Sequence, residues 1–167
     1  MTSILKVSTI QNTAGTAPTA ADLGLNVTGS VLQVKSVSTD VGAQSTTSTS
    51  YQELTGISLS ITPSSTSSKI LIMVSGAHPY TDAGSGIIAT IFRDGTDLAG
   101  GATFGLMQNY NSAAVVHTAP YSMNFLDAPA TTSAVTYKIY FRSRGGQTVF
   151  GSEGGSLPTI TLMEIAG

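Results

Sequence analysis

Histidine, the side chain that most often ligates metals or transfers protons near neutral pH, occurs only twice in this sequence. His78 lies four residues before Asp82 in a segment rich in turn-forming residues, and His117 follows two valines. One histidine from each subunit of a symmetric assembly could ligate a metal on the symmetry axis. The favoured interpretation is that both are hydrogen-bonded polar residues. The sequence therefore predicts neither a metal site nor a cofactor.

Catalytic motifs with a known mechanism are absent from the sequence, including the nucleophile elbow, the P-loop, the zinc-protease helix motif and the acidic calcium loop. Cysteine is absent too, which excludes disulfides and thiolate chemistry. The nine acidic residues are scattered along the chain. A fold could still bring two carboxylates together for glycoside hydrolysis, but no spacing points to such a pair. We therefore expect a protein that is not an enzyme.

Aromatic side chains offer a second kind of chemistry, because their rings can stack on sugar rings. Most of them fall within strand patterns, where core packing is the favoured interpretation. Tyr80 and Tyr110 instead fall in or beside predicted loops, and Asp82 lies near the first of them. These three residues are the candidate ligands of a glycan. The loops concerned are 78–85, 108–112 and 151–156.

Three of the seven Lys and Arg residues lie close together, at Lys138, Arg142 and Arg144. Because side chains alternate along a strand, their even spacing places all three on one face. A solvated face or a row of salt bridges between subunits is favoured over a polyanion site. The formal net charge of −2 indicates no nucleic-acid partner. No apolar run reaches the roughly 18 residues of a membrane helix, so no membrane association is expected.

The segment 54–75 contains the strongest strand signals. Ile57, Leu59 and Ile61 alternate with hydroxyl side chains, which is the pattern of a half-buried strand. A proline and a polar run follow, and then comes an uninterrupted apolar run over 70–74. Such a run is typical of a strand covered on both faces. We therefore expect two neighbouring strands at the centre of one sheet.

The rest of the body also has the pattern of short strands, with no helical periodicity. Segments 40–50 and 76–86 are predicted as loops. Strands are predicted at 31–39, 103–109, 114–118, 121–126, 135–144, 147–150 and 159–165, with a hairpin over 86–99 around the turn Asp94-Gly95. Such a succession indicates an all-β protein. The favoured arrangement is a jelly-roll-like β-sandwich of about 8–10 antiparallel strands.

Residues 1–30 differ in composition from the body, which we place at 31–167. After a possible short strand over 4–10, the segment is small, polar and interrupted by glycine and proline. It therefore reads as an extended N-terminal arm with little core of its own. An arm of this kind recovers its ordering entropy by lying on a neighbour. Charged residues make up only 10% of the chain, which also favours association with other copies.

The opening ILKVSTIQNTAG resembles the start of many fibre and virion proteins of tailed bacteriophages, which commonly begin with a Lys-Val-x-Thr-Ile-Gln-Asn run. Three further pieces resemble small structural proteins that are frequent in marine and cyanobacterial phages, and they occur in the same order. These pieces are VLQVKSVST, SYQELTGISLSITPSSTSSKILIMVS, and NFLDAPATTSAVTYKIYFRS followed by ITLMEIAG. The resemblance covers nearly the whole chain and brings no catalytic or ligand residues with it.

This resemblance implies a β-rich virion component, commonly trimeric. The expected function is that of a capsid decoration or cement protein on the head surface. The alternative is a short tail or head fibre protein that binds a host surface glycan. The implied partners are further copies of the chain and the major capsid protein or tail and fibre proteins, and the location is the virion after synthesis in the host cytoplasm. The candidate anchoring residues of the arm are Leu5, Val7, Ile10, Gln11 and Asn12.

Overall fold

The computed structural model of the protein describes residues 11, 14–17, 28–76, 80–81, 84–112 and 117–167. These residues form thirteen β-strands and no helix. Every paired ladder is antiparallel. The strands are β1 Val31–Ser38, β2 Ala43–Thr46, β3 Gln52–Ile61, β4 Lys69–Ser75, β5 Tyr80–Thr81, β6 Gly86–Arg93, β7 Thr96–Asp97, β8 Met107–Tyr110, β9 His117–Thr118, β10 Ser122–Asp127, β11 Val135–Ser143, β12 Val149–Glu153 and β13 Thr159–Ile165.

Two sheets form the sandwich. Sheet 1 has the order β1-β13-β4-β10, and sheet 2 has the order β3-β11-β6, with β7 and β8 both pairing with β6. If the short β7 is set aside, sheet 1 holds the first, eighth, third and sixth strands of the sandwich in chain order. Sheet 2 holds the second, seventh, fourth and fifth. This strand order is that of a jelly roll, so the predicted all-β jelly-roll sandwich is confirmed.

A smaller sheet 3 forms from the connections between the sandwich strands, in the order β2-β12-β5-β9. Segments 40–50 and 76–86 therefore contain β2 and β5, and their prediction as loops was wrong. The strand predicted at 147–150 corresponds to β12, which pairs with β2 and β5. β2 and β5, of four and two residues, carry too little hydrophobic pattern to be recognised, because they form by pairing with β12.

The hydrophobic core lies between sheets 1 and 2. Ile72 and Leu162 from sheet 1 and Ile139 and Tyr137 from sheet 2 are fully buried in it. Burial of each large aliphatic side chain contributes about 1.5–3 kcal/mol. The inward residues of β11 and β13 are those that the alternating sequence pattern predicts.

The two strands of the segment 54–75 are not neighbours, contrary to the prediction. β3 lies at an edge of sheet 2, whereas β4 lies inside sheet 1. The apolar run of β4 is also not covered on both faces: Ile72 is buried, but Leu71 is half-buried and Met73 is 36% exposed. A run of consecutive apolar residues has no alternation that could show which face is buried.

The predicted hairpin is present between β6 and β7. Asp94 and Gly95 have φ angles of +46° and +89°, as a two-residue type I′ turn requires. β8 starts later than predicted and includes Tyr110. The segment 98–106, between β7 and β8, instead runs beside β6: Leu98 N donates to Ile91 O and Leu106 N donates to Ala89 O, both over 3.0 Å, and Gly105 lies against the outward side chain of Ile88.

Candidate functional site

The structure places some of the candidate binding residues and leaves others outside the part that it describes. Gln11 is exposed. Tyr80 lies in β5, where its backbone pairs with Phe150 and Thr118, and Tyr110 ends β8. The division between arm and body therefore stays a prediction. The residues outside the described ranges are Leu5, Val7, Ile10, Asn12, His78 and Asp82.

The first two predicted glycan loops meet at one end of the sandwich. Asn111 N donates to Ser85 O over 2.9 Å, which joins the end of β8 to the start of β6. The third loop, 151–156, includes the end of β12, whose Phe150 pairs with Tyr80, and it also contacts Asp40, since Gly155 N donates to Asp40 Oδ2 over 3.1 Å. The structure therefore joins 84–85 directly to 108–112, and the third loop adjoins the first through the pairing of β12 with β5.

A pocket of about 220 Å³ opens where these segments meet the end of β11. Its floor is Gly86, which pairs with Tyr110 and whose O accepts a 2.8 Å hydrogen bond from Arg144 N. A Cβ atom at Gly86 would lie 3.0 Å from Tyr110 Cδ2 and 3.3 Å from Arg144 Cβ. The absence of a side chain there lets the ring and the arginine stem converge. The lining residues are Gly84, Gly86, Tyr110, Arg144, Gly145 and Gln147.

Arg144 is the charged group of this pocket. Its guanidinium carbon lies 4.2 Å from the ring centroid of Tyr110 and 5.7 Å from that of Phe104, which are cation–π distances. Each ring is 49% exposed. Within the described residues, the two side-chain ion pairs are Arg93–Asp127 and Lys138–Glu53, so Arg144 has no carboxylate partner there. We call Phe104, Tyr110 and Arg144 the aromatic–arginine cluster.

The segment that carries Phe104 is held firmly against sheet 2. Arg142 Nη2 donates to Thr103 O over 2.6 Å. Gly105 has a φ of +61°, and a Cβ atom there would lie 2.5 Å from Ala89 O and 2.7 Å from the Tyr51 hydroxyl oxygen. Sequence reasoning missed Phe104, because nothing in the pattern around it shows that this loop returns to β11.

The basic residues of β11 share the outward face of sheet 2, as predicted. Lys138 Nζ lies 2.9 Å from Glu53 Oε2, and the hydrogen bond and charge of Glu53 raise the pKa of Lys138. The Arg142 guanidinium lies 5.1 Å from the ring centroid of Tyr51. Lys138 and Glu53 thus form a salt bridge within the chain, and the predicted row of salt bridges between subunits stays a prediction.

The outward face of sheet 1 has a different character. Val34 lies opposite Met163, Met163 opposite Leu71, and Leu71 opposite Leu126, so these four residues form one row across all four strands. Val34 is 54% exposed and Leu126 is 51% exposed. Single exposed apolar side chains are ordinary, whereas larger contiguous apolar patches are typical of interaction surfaces. We call these four residues the apolar row.

Beside the apolar row, the same face carries mostly hydroxyl groups. Met73 continues the apolar surface, with Thr161 and Asn124 on either side of it. Ser36 Oγ and Thr161 Oγ1 are hydrogen-bonded over 2.9 Å, and the next row consists of hydroxyl side chains. The charged residue on this face is Lys69 at its end, opposite Ile165. Apart from Lys69, the strands of sheet 1 carry no charged side chain on this face. The residues of the hydroxyl row are Ser38, Thr159, Ser75 and Ser122.

The buried ionisable groups at the opposite end of the sandwich are all satisfied within the chain. Both oxygens of the Asp127 carboxylate accept from Arg93 Nη1 over 2.7 Å, and one accepts from the Tyr137 hydroxyl over 2.7 Å. Burial, together with this hydrogen bond, raises the pKa of Tyr137. These groups join sheet 1 to sheet 2 and are not exposed to a ligand. The described residues contain no group of three metal-ligating side chains and no helix able to cross a membrane.

No protein-family model matches the sequence. No curated protein matches it either. Among solved structures, a match is the crystal structure of the infectious bursal disease virus VP2 subviral particle, with 15% sequence identity and a TM-score of 0.37. The match covers 78% of this chain and 37% of that chain. The jelly-roll assignment rests on the strand order of the present chain alone.

Proposed function

We propose that this chain is a non-enzymatic structural protein of a bacteriophage virion, which forms a homotrimer and decorates the surface of the head. The observation that carries the proposal is the apolar row on the outward face of sheet 1, a face on which Lys69 is the one charged side chain. A β-sheet that exposes such a row gains free energy when another surface covers it. The resemblance of the sequence to small phage structural proteins supplies the virion context.

The proposed occupant of this face is the N-terminal arm of a neighbouring copy. Gly29 N donates to Ala166 O over 2.8 Å, so the arm leaves the body beside the end of β13, close to the apolar row. The arm carries Leu5, Val7 and Ile10. Strands lie about 4.8 Å apart, so the row is about 14 Å wide, and seven extended residues, which span about 23 Å, are long enough to cross it.

An exchange of arms would join three subunits into one unit. A unit of this kind, bound across the boundaries of capsomers, opposes their separation under internal pressure. No bond is made or broken in this role, which is consistent with an absence of catalytic motifs from the sequence.

The test is a variant that lacks residues 1–28 and so retains Gly29. We expect a folded body that neither trimerises nor binds purified particles from which the native protein has been removed. Circular dichroism should show unchanged β content. Binding to particles at the level of the full chain would overturn the role of the arm. Immunogold labelling with an antibody against residues 31–167 should cover the head.

The second candidate function is that of a short head or tail fibre protein that binds a host surface glycan. The aromatic–arginine cluster favours it, because two half-exposed aromatic residues lie at an open pocket beside Arg144, which has no carboxylate partner among the described residues. The pocket is formed by sheet 2, so it stays accessible when sheet 1 is covered. This candidate predicts saturable binding of the isolated protein to host cells, weakened by Tyr110→Ala. Gold confined to thin projections or to the tail would favour it.

A further inference from the structure

We propose that the aromatic–arginine cluster binds an acidic saccharide, with the carboxylate on Arg144 and the sugar ring against the exposed aromatic surface. The proposal deepens the receptor-binding candidate and rests on it. Three properties of the pocket lead to this ligand class: its charge, its shape and its preorganisation.

The charge of the pocket selects a monoanion. Arg144 is exposed, lies over Tyr110 and has no carboxylate partner within the described residues. A guanidinium group that stacks on a ring keeps its edge N–H groups free, and these form paired hydrogen bonds to a carboxylate. Nucleic acids and other polyanions need several cations along a groove. A single arginine in a chain of net charge −2 does not supply them.

The shape of the pocket suits one sugar ring. Pockets for drug-sized ligands measure roughly 300–1,000 Å³, and this one measures about 220 Å³. Glycines at 84, 86 and 145 line it and leave the backbone open to ligand hydroxyls, while Gln147 adds an amide that both donates and accepts. Apolar ring surface beside polar hydrogen-bonding groups matches the two sides of a pyranose ring.

The cluster is held in place before any ligand arrives. Phe104 lies between Thr103, whose O accepts a 2.6 Å hydrogen bond from Arg142, and Gly105, which packs against the Ala89 carbonyl. Tyr110 is fixed by its pairing with Gly86. Groups that need no ordering on binding lose less conformational entropy, so even a small pocket can bind measurably.

The test uses the full chain and three acidic oligosaccharides, which carry galacturonate, glucuronate or sialate. The methyl ester of each is the matched neutral probe, since it differs only in the charge of the carboxylate. By NMR titration we expect at least one acid to bind about tenfold more tightly than its ester, as a charge-assisted bidentate pair implies. Poly-glutamate, which has the charge without the sugar, should bind more weakly than that acid.

Substitutions of pocket residues test whether the saccharide binds in this pocket. Arg144→Gln should abolish the difference between acid and ester, and Tyr110→Ala should weaken both. Gly86→Ala, at a backbone position that permits alanine, should weaken the binding of acid and ester alike, because the added methyl group fills the floor of the pocket. Lys35→Gln, which removes an exposed cation of sheet 1 whose Nζ donates to Ser60 O, is the charge-matched control and should change neither.

Equal binding of acid and ester, an unchanged ratio in Arg144→Gln, equal binding of poly-glutamate, or no binding of any of the three acids would overturn the proposal. Adsorption to host cells is measured in parallel with the same variants. If the chain adsorbs and Arg144→Gln adsorbs equally well, the acidic-saccharide proposal fails while the receptor function stands. If acids bind through Arg144 but cells do not adsorb the chain, the ligand class stands and the receptor function fails.

Discussion

Part of the outward face of sheet 2 is covered by the chain itself, with Ile88 and Thr90 buried, whereas the apolar row on the outward face of sheet 1 has Val34 and Leu126 about half exposed. On sheet 2, Gly105 lies against Ile88, which is only 1% exposed although it points away from the core. Lys138 and Arg142 on that face are engaged by Glu53, Tyr51 and backbone carbonyls.

This difference shows that the chain covers part of the outward face of sheet 2 with its own residues and leaves the apolar row of sheet 1 exposed. Outward-facing apolar side chains therefore have different roles in the two sheets. Apolar side chains on the outside of sheet 2 contribute to the stability of the single chain. In the proposed assembly, those on the outside of sheet 1 would be covered by a partner, so their energetic contribution would appear only on association.

The largest effect should follow from charging the apolar row. The double variant Val34→Lys/Leu126→Lys places two cations at the ends of the row, where burial against a partner would leave them unpaired. The thermal midpoint of the wild-type chain should rise with protein concentration, as it does for assemblies. In the double variant this dependence should vanish. Leu157→Lys, at a residue that is 60% exposed outside the row, is the control and should retain it.

A large loss of stability should follow from Asp127→Ala, which tests the link between the two sheets rather than either outer face. Removal of the carboxylate leaves Arg93 and the Tyr137 hydroxyl without their shared acceptor. Breaking a buried pair in this way costs about 3–5 kcal/mol, measurable by urea unfolding. Glu53→Gln, which breaks the exposed pair with Lys138, should leave the midpoint almost unchanged. Equal losses in both variants would contradict this account.

The cover of sheet 2 should be sensitive to Gly105→Ala. The new methyl group would meet the Ala89 carbonyl at a left-handed backbone position, so we expect a loss of about 3 kcal/mol. Gly100→Ala has a similar φ of +62° and nothing within 4 Å of the new atom. It should cost about 1 kcal/mol, and the difference between the two variants isolates the packing of the loop. Similar losses of stability in the two variants would mean that the loop does not pack tightly against sheet 2.

The smallest effect concerns Glu164, which is fully buried on the inward face of β13. Burial alone would raise its pKa, but hydrogen bonds from Ser64 and Gln33 outweigh this and hold the pKa below its ordinary value of 4.5. A lowered pKa stabilises the fold above pH 4.5, and the contribution is lost as the pH falls through the lowered value. Urea unfolding of Glu164→Gln should therefore depend less on pH below 4.5 than that of the wild type.

The sequence predicts those strands and turns that their own residue pattern is enough to identify. β11 and β13 alternate cleanly, and Asp94-Gly95 has a turn chemistry that few other dipeptides share. The predictions that failed concern features that depend on other segments. The apolar run of β4 does not indicate which strands pair with it. β2 and β5 form only because β12 lies between them.

The candidate site could likewise be predicted only in part. The shared face of Lys138, Arg142 and Arg144 follows from the period of a strand, and the exposure of Tyr110 follows from its position beside polar residues. The convergence of Arg144 with Tyr110 and Phe104 does not follow from either, because three separate connections supply these residues. Gly86, the first residue of β6, is the one local signal, because a glycine in a strand can mark a close approach of neighbouring groups.

Sedimentation equilibrium of the wild-type chain tests most directly whether the outward face of sheet 1 is a contact between subunits. The account predicts a trimer, about three times the monomer mass of 17.0 kDa, at micromolar concentration, and a fall to 17.0 kDa in Val34→Lys/Leu126→Lys. A wild-type chain that stays at 17.0 kDa at concentrations of tens of micromolar, or a double variant with unchanged mass, would contradict the account.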